Sequence, residues 1–279
     1  MKLVRRNRQG LALAGTAYGP EEGRPVLFFH GGGQTRHAWG RAGEVLGAAG
    51  FRAISYDLRG HGDSAWSENY QLPEFAADVF DLAQAERERP IIVGASLGGL
   101  AALLANATEA GEISAALVLV DIAPRINPEG VDRILRFMSA HAGGFASLDE
   151  AAAAVAAYQP QRAQRTDPQG LRKNLRRGAG GRWYWHWDPA LMGLFEQARR
   201  ASLDPALFYR AAEPLTQPVL LVRGMLSDVV DDASAREFQD RFPHARVTEV
   251  GGAGHMVAGD RNDAFVQAVT DFLAAGVTG

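Results

Sequence analysis

Ile91-Ile92-Val93-Gly94-Ala95-Ser96-Leu97-Gly98-Gly99-Leu100 is the stretch on which the reading of this chain turns: an apolar run, a G-x-S-x-G turn, and a helical pattern that opens at once. The run is β-rich and unbroken, as expected of a strand buried on both faces. A serine on so tight a strand-to-helix turn is forced outward. Gly94 and Gly98 are needed there, because side chains at those positions would collide with the neighbouring strand and helix. The helix N-terminus adds free N–H groups and a positive dipole beside the serine, where negative charge would develop during acyl transfer. Bare G-x-S-x-G is a pattern that chance supplies often; flanked in this way, Ser96 reads as a nucleophile.

The same kind of run recurs on either side. Val26 to Phe29, Ala53 to Tyr56, Leu117 to Val120 and Val219 to Val222 are continuous rather than alternating, and Val247 to Val250 reads as a last strand. Helical patterns lie between them at 38–49, 73–88, 97–110, 232–241 and 261–275, the last with Phe265, Val266, Val269, Phe272 and Leu273 at helical spacing. Residues 2–18 read as a hairpin turning at Asn7 to Gly10. Alternation of this sort predicts an α/β fold with a mostly parallel central sheet flanked by helices. It fails between 125 and 213, which is helical, arginine-rich and aromatic, so a helical cap (lid) is expected there, inserted into a core of 1–124 and 214–279. That stretch carries 13 basic and 9 acidic residues, a charge of +4, which leaves −7 for the rest of a chain whose net charge is −3.

Composition narrows the function classes. At 279 residues, 47% apolar and 22% charged, the chain resembles an ordinary globular protein. Its slightly negative balance offers none of the general positive field that nucleic-acid binding needs. With no cysteine, thiolate nucleophiles, disulfides and cysteine-ligated metals are excluded together. The basic start, Met1 to Arg6, is not followed by the apolar stretch of a signal peptide, and no window has the roughly 18 apolar residues of a membrane span. A soluble, cytoplasmic protein with no membrane or nucleic-acid partner is expected, either a monomer or a homodimer. The 27 arginines against only Lys2 and Lys173 look like GC-rich bacterial coding.

A serine needs a base to remove its proton. Of the seven histidines, His255 is best placed, in the glycine-rich loop Val250-Gly251-Gly252-Ala253-Gly254-His255 that follows the last predicted strand. A carboxylate leaving another strand at the same edge should fix the imidazole tautomer. Asp228, after the strand 219–222, fits. Asp121, directly after Leu117 to Val120, competes, although its Asp-Ile-Ala-Pro reads more as a turn into the cap. Asp231 and Asp232 read as the cap and first turn of the next helix. Phe29-His30-Gly31-Gly32-Gly33-Gln34 supplies backbone able to aim N–H groups at an oxyanion. The hole is assigned to the amide of Leu97, after the nucleophile, and that of Gly32, with Gly33 as a close alternative. His30 is expected to hydrogen-bond beneath it.

Together His30-Gly31-Gly32-Gly33, Asp57-Leu58-Arg59-Gly60-His61-Gly62-Asp63-Ser64, the turn at Ser96, Asp228 and Gly254-His255 resemble the α/β-hydrolase superfamily over nearly the whole chain, the cap excepted. Within it the chain is similar to the capped, serine-nucleophile branch that holds carboxylesterases, cofactor-free haloperoxidases (perhydrolases), lactonases and carbon–carbon bond hydrolases. The resemblance implies a cofactor-free hydrolase that cleaves a carboxylic ester or lactone of a small, largely apolar substrate through an acyl-enzyme. The alternatives it leaves are a carbon–carbon bond hydrolase or perhydrolase on the same triad, and a non-catalytic small-ligand receptor on the same fold. Aspartate-nucleophile relatives such as epoxide hydrolases are disfavoured, because Ser96 stands in the nucleophile position. The segment from Asp57 to Ser64 is expected to be structural. Its match to a dinucleotide G-x-G-x-x-A fails because loop residues, not a helix, follow it. No histidine pair has helical zinc spacing, so no metal is implied.

In the cap, Trp183-Tyr184-Trp185-His186-Trp187 is expected to wall an apolar acyl or aryl pocket with its four aromatic rings or to glue the cap to the core. Seven basic residues against one acidic between 162 and 182 read as a solvated face.

Overall fold

The computed structural model describes residues 1–107, 111–159, 167–193 and 204–276. Two antiparallel strands open the chain, β1 (Lys2–Arg6) and β2 (Ala12–Tyr18), followed by β3 (Pro25–Phe29), a 3-10 turn at Arg36–Trp39, α1 (Gly40–Ala48), β4 (Arg52–Tyr56), α2 (Leu72–Gln84), β5 (Ile91–Ala95), α3 (Leu97–Asn106) and β6 (Ala116–Val120). The part between β6 and the next strand of the main sheet contains α4 (Pro128–Ala140), α5 (Leu148–Tyr158), a small hairpin of β7 (Leu175–Arg177) and β8 (Trp183–Trp185), and α6 (Pro205–Ala212). The chain ends with β9 (Val219–Gly224), α7 (Asp232–Arg241), β10 (Arg246–Val250), α8 (Val257–Asp260) and α9 (Asn262–Gly276).

One 8-stranded sheet runs in the order β1-β2-β4-β3-β5-β6-β9-β10. It is parallel from β4 to β10, and β2 pairs antiparallel with β4. The unbroken apolar runs are explained by where alternate residues go, since successive side chains on a strand face opposite ways. Leu27, Phe29, Ile54, Ile92, Leu117, Leu119 and Leu221 join the core under α2, α3 and α6. Val26, Phe28, Ala53, Ile91, Val93, Val118, Val120 and Leu220 join a second core against α1 and α9. Each valine, leucine, isoleucine or phenylalanine buried in this way stabilises the fold by about 1.5–3 kcal/mol.

The helix expected over 97–110 ends at Asn106, and residues 108–110 lie outside the described set. Two features of the region expected to be a cap differ from expectation. It includes a short antiparallel β-hairpin, which three-residue strands hide from a pattern search. Its last helix, α6, packs on α3 and places Phe208, Tyr209, Ala211 and Ala212 in the core under the sheet, so by packing that helix sides with the core. No described helix is long and apolar enough to cross a membrane.

Candidate functional site

Parallel strands deliver their C-terminal ends to one edge of the sheet, and three side chains arrive there from β5, β6 and the loop after β10. Ser96 leaves β5 with φ 47° and ψ −118°, a conformation that non-glycine residues avoid. A Cβ on Gly94 would lie 2.6 Å from the Gly98 carbonyl oxygen, and one on Gly98 would lie 2.5 Å from that of Phe29. The turn therefore closes only with glycine at both positions. Leu97 is the first residue of α3, where amides have no intrahelical acceptor.

His255 Nδ1 sits 2.7 Å from Asp121 Oδ2. The Asp121 carboxylate is fully buried. Its Oδ1 accepts the Gly224 amide at 3.0 Å, and its Oδ2 also accepts the Ser227 hydroxyl. Ser227 Oγ in turn accepts the amides of Val229 and Val230, so its single proton is directed to the aspartate. Asp121 also has a positive φ, 49°, the only described non-glycine residue besides Ser96 to do so. A carboxylate with three donors is held in place, and its oxygen facing Nδ1 fixes the proton on that nitrogen. Nε2 is left bare for the serine side.

This corrects the sequence-based expectation for the acid. Asp228 ion-pairs with Arg133 of α4 at 2.8 Å and is partly exposed, while the Nδ1 position it was expected to fill belongs to Asp121. The reason is register. β6 lies between β5 and β9, with Ala95 beside Val120, so the first residue off β6 is next to the serine. Asp228 follows a further turn after Gly224 and points at the α4 surface instead.

In the loop after β3, the Gly31 amide donates to Gln34 Oε1 at 3.2 Å, the Gln34 amide to the Gly31 carbonyl at 3.1 Å, and the Gly33 amide to His61 Nε2 at 3.1 Å. Among the described residues only the Gly32 amide of this turn has no protein acceptor, and Gly32 and Leu97 both line the cavity beside Ser96. Gly33, expected as an alternative donor, is already committed to His61. His30 lies below, with Nδ1 against the Gly31 carbonyl at 2.8 Å and Nε2 accepting the Leu58 amide at 3.0 Å. Burial pushes His30 down to about 4 and His61 to about 3, so both are neutral.

Ser96 and His255 open onto one cavity of about 260 Å³. Their link is a shared wall; among the described residues no closed hydrogen bond joins them, and such contacts tighten only when substrate is bound. The wall is apolar. Ile122, Ile126, Val131, Ile134, Phe137 and Met138 line it together with Trp185 and Trp187, and no described arginine or lysine does. Trp183 and Tyr184, expected in this wall, are placed elsewhere. β8 points alternate residues to opposite faces, and Tyr184 covers Gly144 and Gly178. Trp183 sits at the strand end against the Phe145 cluster, with the Arg172 guanidinium 5.1 Å over its ring. Of the basic run 162–182, residues up to 166 lie outside the described set, and the described arginines are exposed. The described residues hold no group of three or more acidic or histidine side chains suited to a metal.

A strained serine, a histidine braced by a buried aspartate and two unengaged amides meet at one cavity, an arrangement with the parts that serine-type hydrolysis requires. The chain belongs to the alpha/beta hydrolase family, whose model matches residues 26–268, and is a hydrolase. It is 32% identical to esterase Rv0045c of Mycobacterium tuberculosis over 89% of this chain and 82% of that one. It is 29% identical to the sn-1-specific diacylglycerol lipase ABHD11 of Mus musculus over 89% and 80%. The crystal structure of E-2-(acetamidomethylene)succinate hydrolase superposes with a TM-score of 0.84 at 26% identity, covering 99% of this chain and 100% of that one.

Proposed function

We propose that the chain hydrolyses a carboxylic ester of a small, largely apolar and uncharged substrate through an acyl-enzyme on Ser96. The observation that carries the reading is the buried Asp121 carboxylate 2.7 Å from His255 Nδ1, on the sheet edge that presents Ser96 to the same cavity. Nε2 of His255 takes the hydroxyl proton as Ser96 Oγ attacks the carbonyl carbon. The negative charge that develops on the carbonyl oxygen is met by the amides of Leu97 and Gly32, each worth about 3 kcal/mol in the transition state. Collapse of the tetrahedral intermediate breaks the bond to the alcohol, which leaves with the proton from His255. Water then enters, gives its proton to His255, attacks the acyl carbon and releases the acid, with the proton returned to Ser96. Asp121 faces Nδ1 throughout and stabilises the imidazolium of each step.

The wall supports the substrate class. A carboxylate placed among these aliphatic and aromatic side chains would be desolvated without a cationic partner, which costs several kcal/mol. A neutral acyl or aryl group gains by burial there. A panel of p-nitrophenyl esters and lactones, run beside Ser96→Ala, tests the reading. Neutral short esters turn over with the wild type and not with the variant, and equal turnover by both would end it.

A further inference from the structure

His61 belongs to a segment that the chemistry above does not use, yet its ring reaches the turn that carries the oxyanion donors. Two backbone groups fix its protonation. The Arg59 carbonyl, 2.9 Å from Nδ1, can only accept, so Nδ1 carries the proton. The Gly33 amide, 3.1 Å from Nε2, can only donate, so Nε2 is bare. The ring is fully buried and meets His30 edge-on at 5.0 Å. Its burial and the neighbouring His30 keep it uncharged, so the acceptor at Nε2 persists across neutral and mildly acidic pH.

The segment around His61 is clamped from the other side. The Gly62 amide donates to the His186 carbonyl at 2.7 Å, the Asp188 amide donates to the Gly60 carbonyl at 2.7 Å, and His61 bridges Trp187, which lines the cavity. The segment at 60–62 therefore connects the turn at 31–34, through the His61 imidazole, to the segment at 186–188, through its backbone.

We propose that His61 is a positioning residue for the oxyanion hole: by accepting the Gly33 amide it fixes the Gly31–Gln34 turn so that the Gly32 amide is the one left facing the cavity. The proposal rests on the ester-hydrolase reading for its catalytic consequence, but not for its geometry. A donor held in place this way contributes to the transition state and little to the ground state, so its loss lowers kcat and spares KM. A general loosening of the fold would not produce that split.

The test compares His61→Phe, which removes the acceptor, with His61→Gln, whose side-chain oxygen can still accept from Gly33 and whose nitrogen can still donate to Arg59. Three quantities are measured in each: kcat and KM on a neutral p-nitrophenyl ester, affinity for a trifluoromethyl ketone that forms the tetrahedral oxyanion, and Gly33 amide exchange by NMR. For His61→Phe, kcat and trifluoromethyl ketone affinity fall about 10- to 100-fold with KM within threefold, and Gly33 exchange quickens. For His61→Gln all three stay within about threefold of the wild type. A folded His61→Phe with unchanged kcat and unchanged Gly33 exchange overturns the proposal, as does a His61→Gln as impaired as His61→Phe. If His61→Phe does not fold, His61→Gln decides: retained kcat with a slow Gly33 amide supports the proposal, and loss of either overturns it. Failure of the esterase reading is separate, because it shows as absent turnover in the wild type, whereas the Gly33 amide reports on His61 in either case.

Discussion

Replacing Asp121 by asparagine tests the corrected triad at the atom where it differs from expectation. Oδ1 must go on accepting the Gly224 amide, so the new amide oxygen takes that place and the NH2 group replaces Oδ2 beside His255 Nδ1. An NH2 group donates, which forces Nδ1 bare and moves the ring proton to Nε2, where the imidazole can no longer accept from Ser96. Ser227, whose Oγ already accepts the amides of Val229 and Val230, loses the acceptor of its proton, so folding is checked alongside activity. Loss of the correct tautomer in a serine triad costs about 10⁴-fold in kcat, a magnitude established for the trypsin-type case and equal to roughly 5.5 kcal/mol of barrier. The matched control is Asp228→Asn, which breaks only a partly exposed pair with Arg133 and should change kcat less than threefold and stability by no more than about 1 kcal/mol. Steady-state kinetics on a neutral p-nitrophenyl ester, with circular dichroism to confirm folding, reads both. A thousandfold loss in Asp228→Asn beside a near-normal Asp121→Asn would refute the assignment.

Stability should fall steeply as pH drops below about 6.5. His30 and His61 are held near 4 and 3 in the folded chain, so the unfolded chain binds more protons between those values and the ordinary histidine value, and stability rises with pH across that window. Each contributes about 2–3 kcal/mol of loss between pH 7 and pH 4.5; urea midpoints at the two pH values check this, and equal midpoints contradict it. Gly98→Ala should destabilise by about 1–3 kcal/mol, because its Cβ meets the Phe29 carbonyl oxygen at 2.5 Å; an unchanged urea midpoint would argue against the turn as described. Trp185→Ala should raise KM for aryl esters roughly tenfold, while Trp183→Ala leaves KM within threefold, since of these two Trp185 lines the cavity and Trp183 does not; the reverse order would misplace the pocket.

The parts of the molecule that sequence reveals are those where one residue type alone satisfies the local geometry. The turn at Ser96 is such a place, since both glycines sit where any Cβ meets backbone, and His255 follows because a glycine-rich loop after the last strand returns to the same edge. The choice between Asp121 and Asp228 was not legible in that way. Both follow a buried strand, and what separates them is sheet order and a three-residue difference in how far each stands from its strand end. A signal was present: Asp121 follows Val120 without an intervening residue, whereas Asp228 comes after Met225-Leu226-Ser227. Strand parity separates Tyr184 from Trp185, and Trp183 departs from Trp185 because it stands at the strand end against the Phe145 cluster; a run of four rings conceals both until β8 is known to be a strand. The role of Ser227 and the grip of His61 on Gly33 are contacts of side chains 106 and 28 residues from their partners, beyond the reach of any local pattern.

Whether Ser96 is the reacting nucleophile is read most directly by intact-protein and peptide mass spectrometry after exposure to a fluorophosphonate. A single adduct is expected on the peptide bearing Ser96, lost in Ser96→Ala and slowed by at least a hundredfold in His255→Ala. An unmodified wild type, or an adduct on another residue that persists in Ser96→Ala, would contradict it.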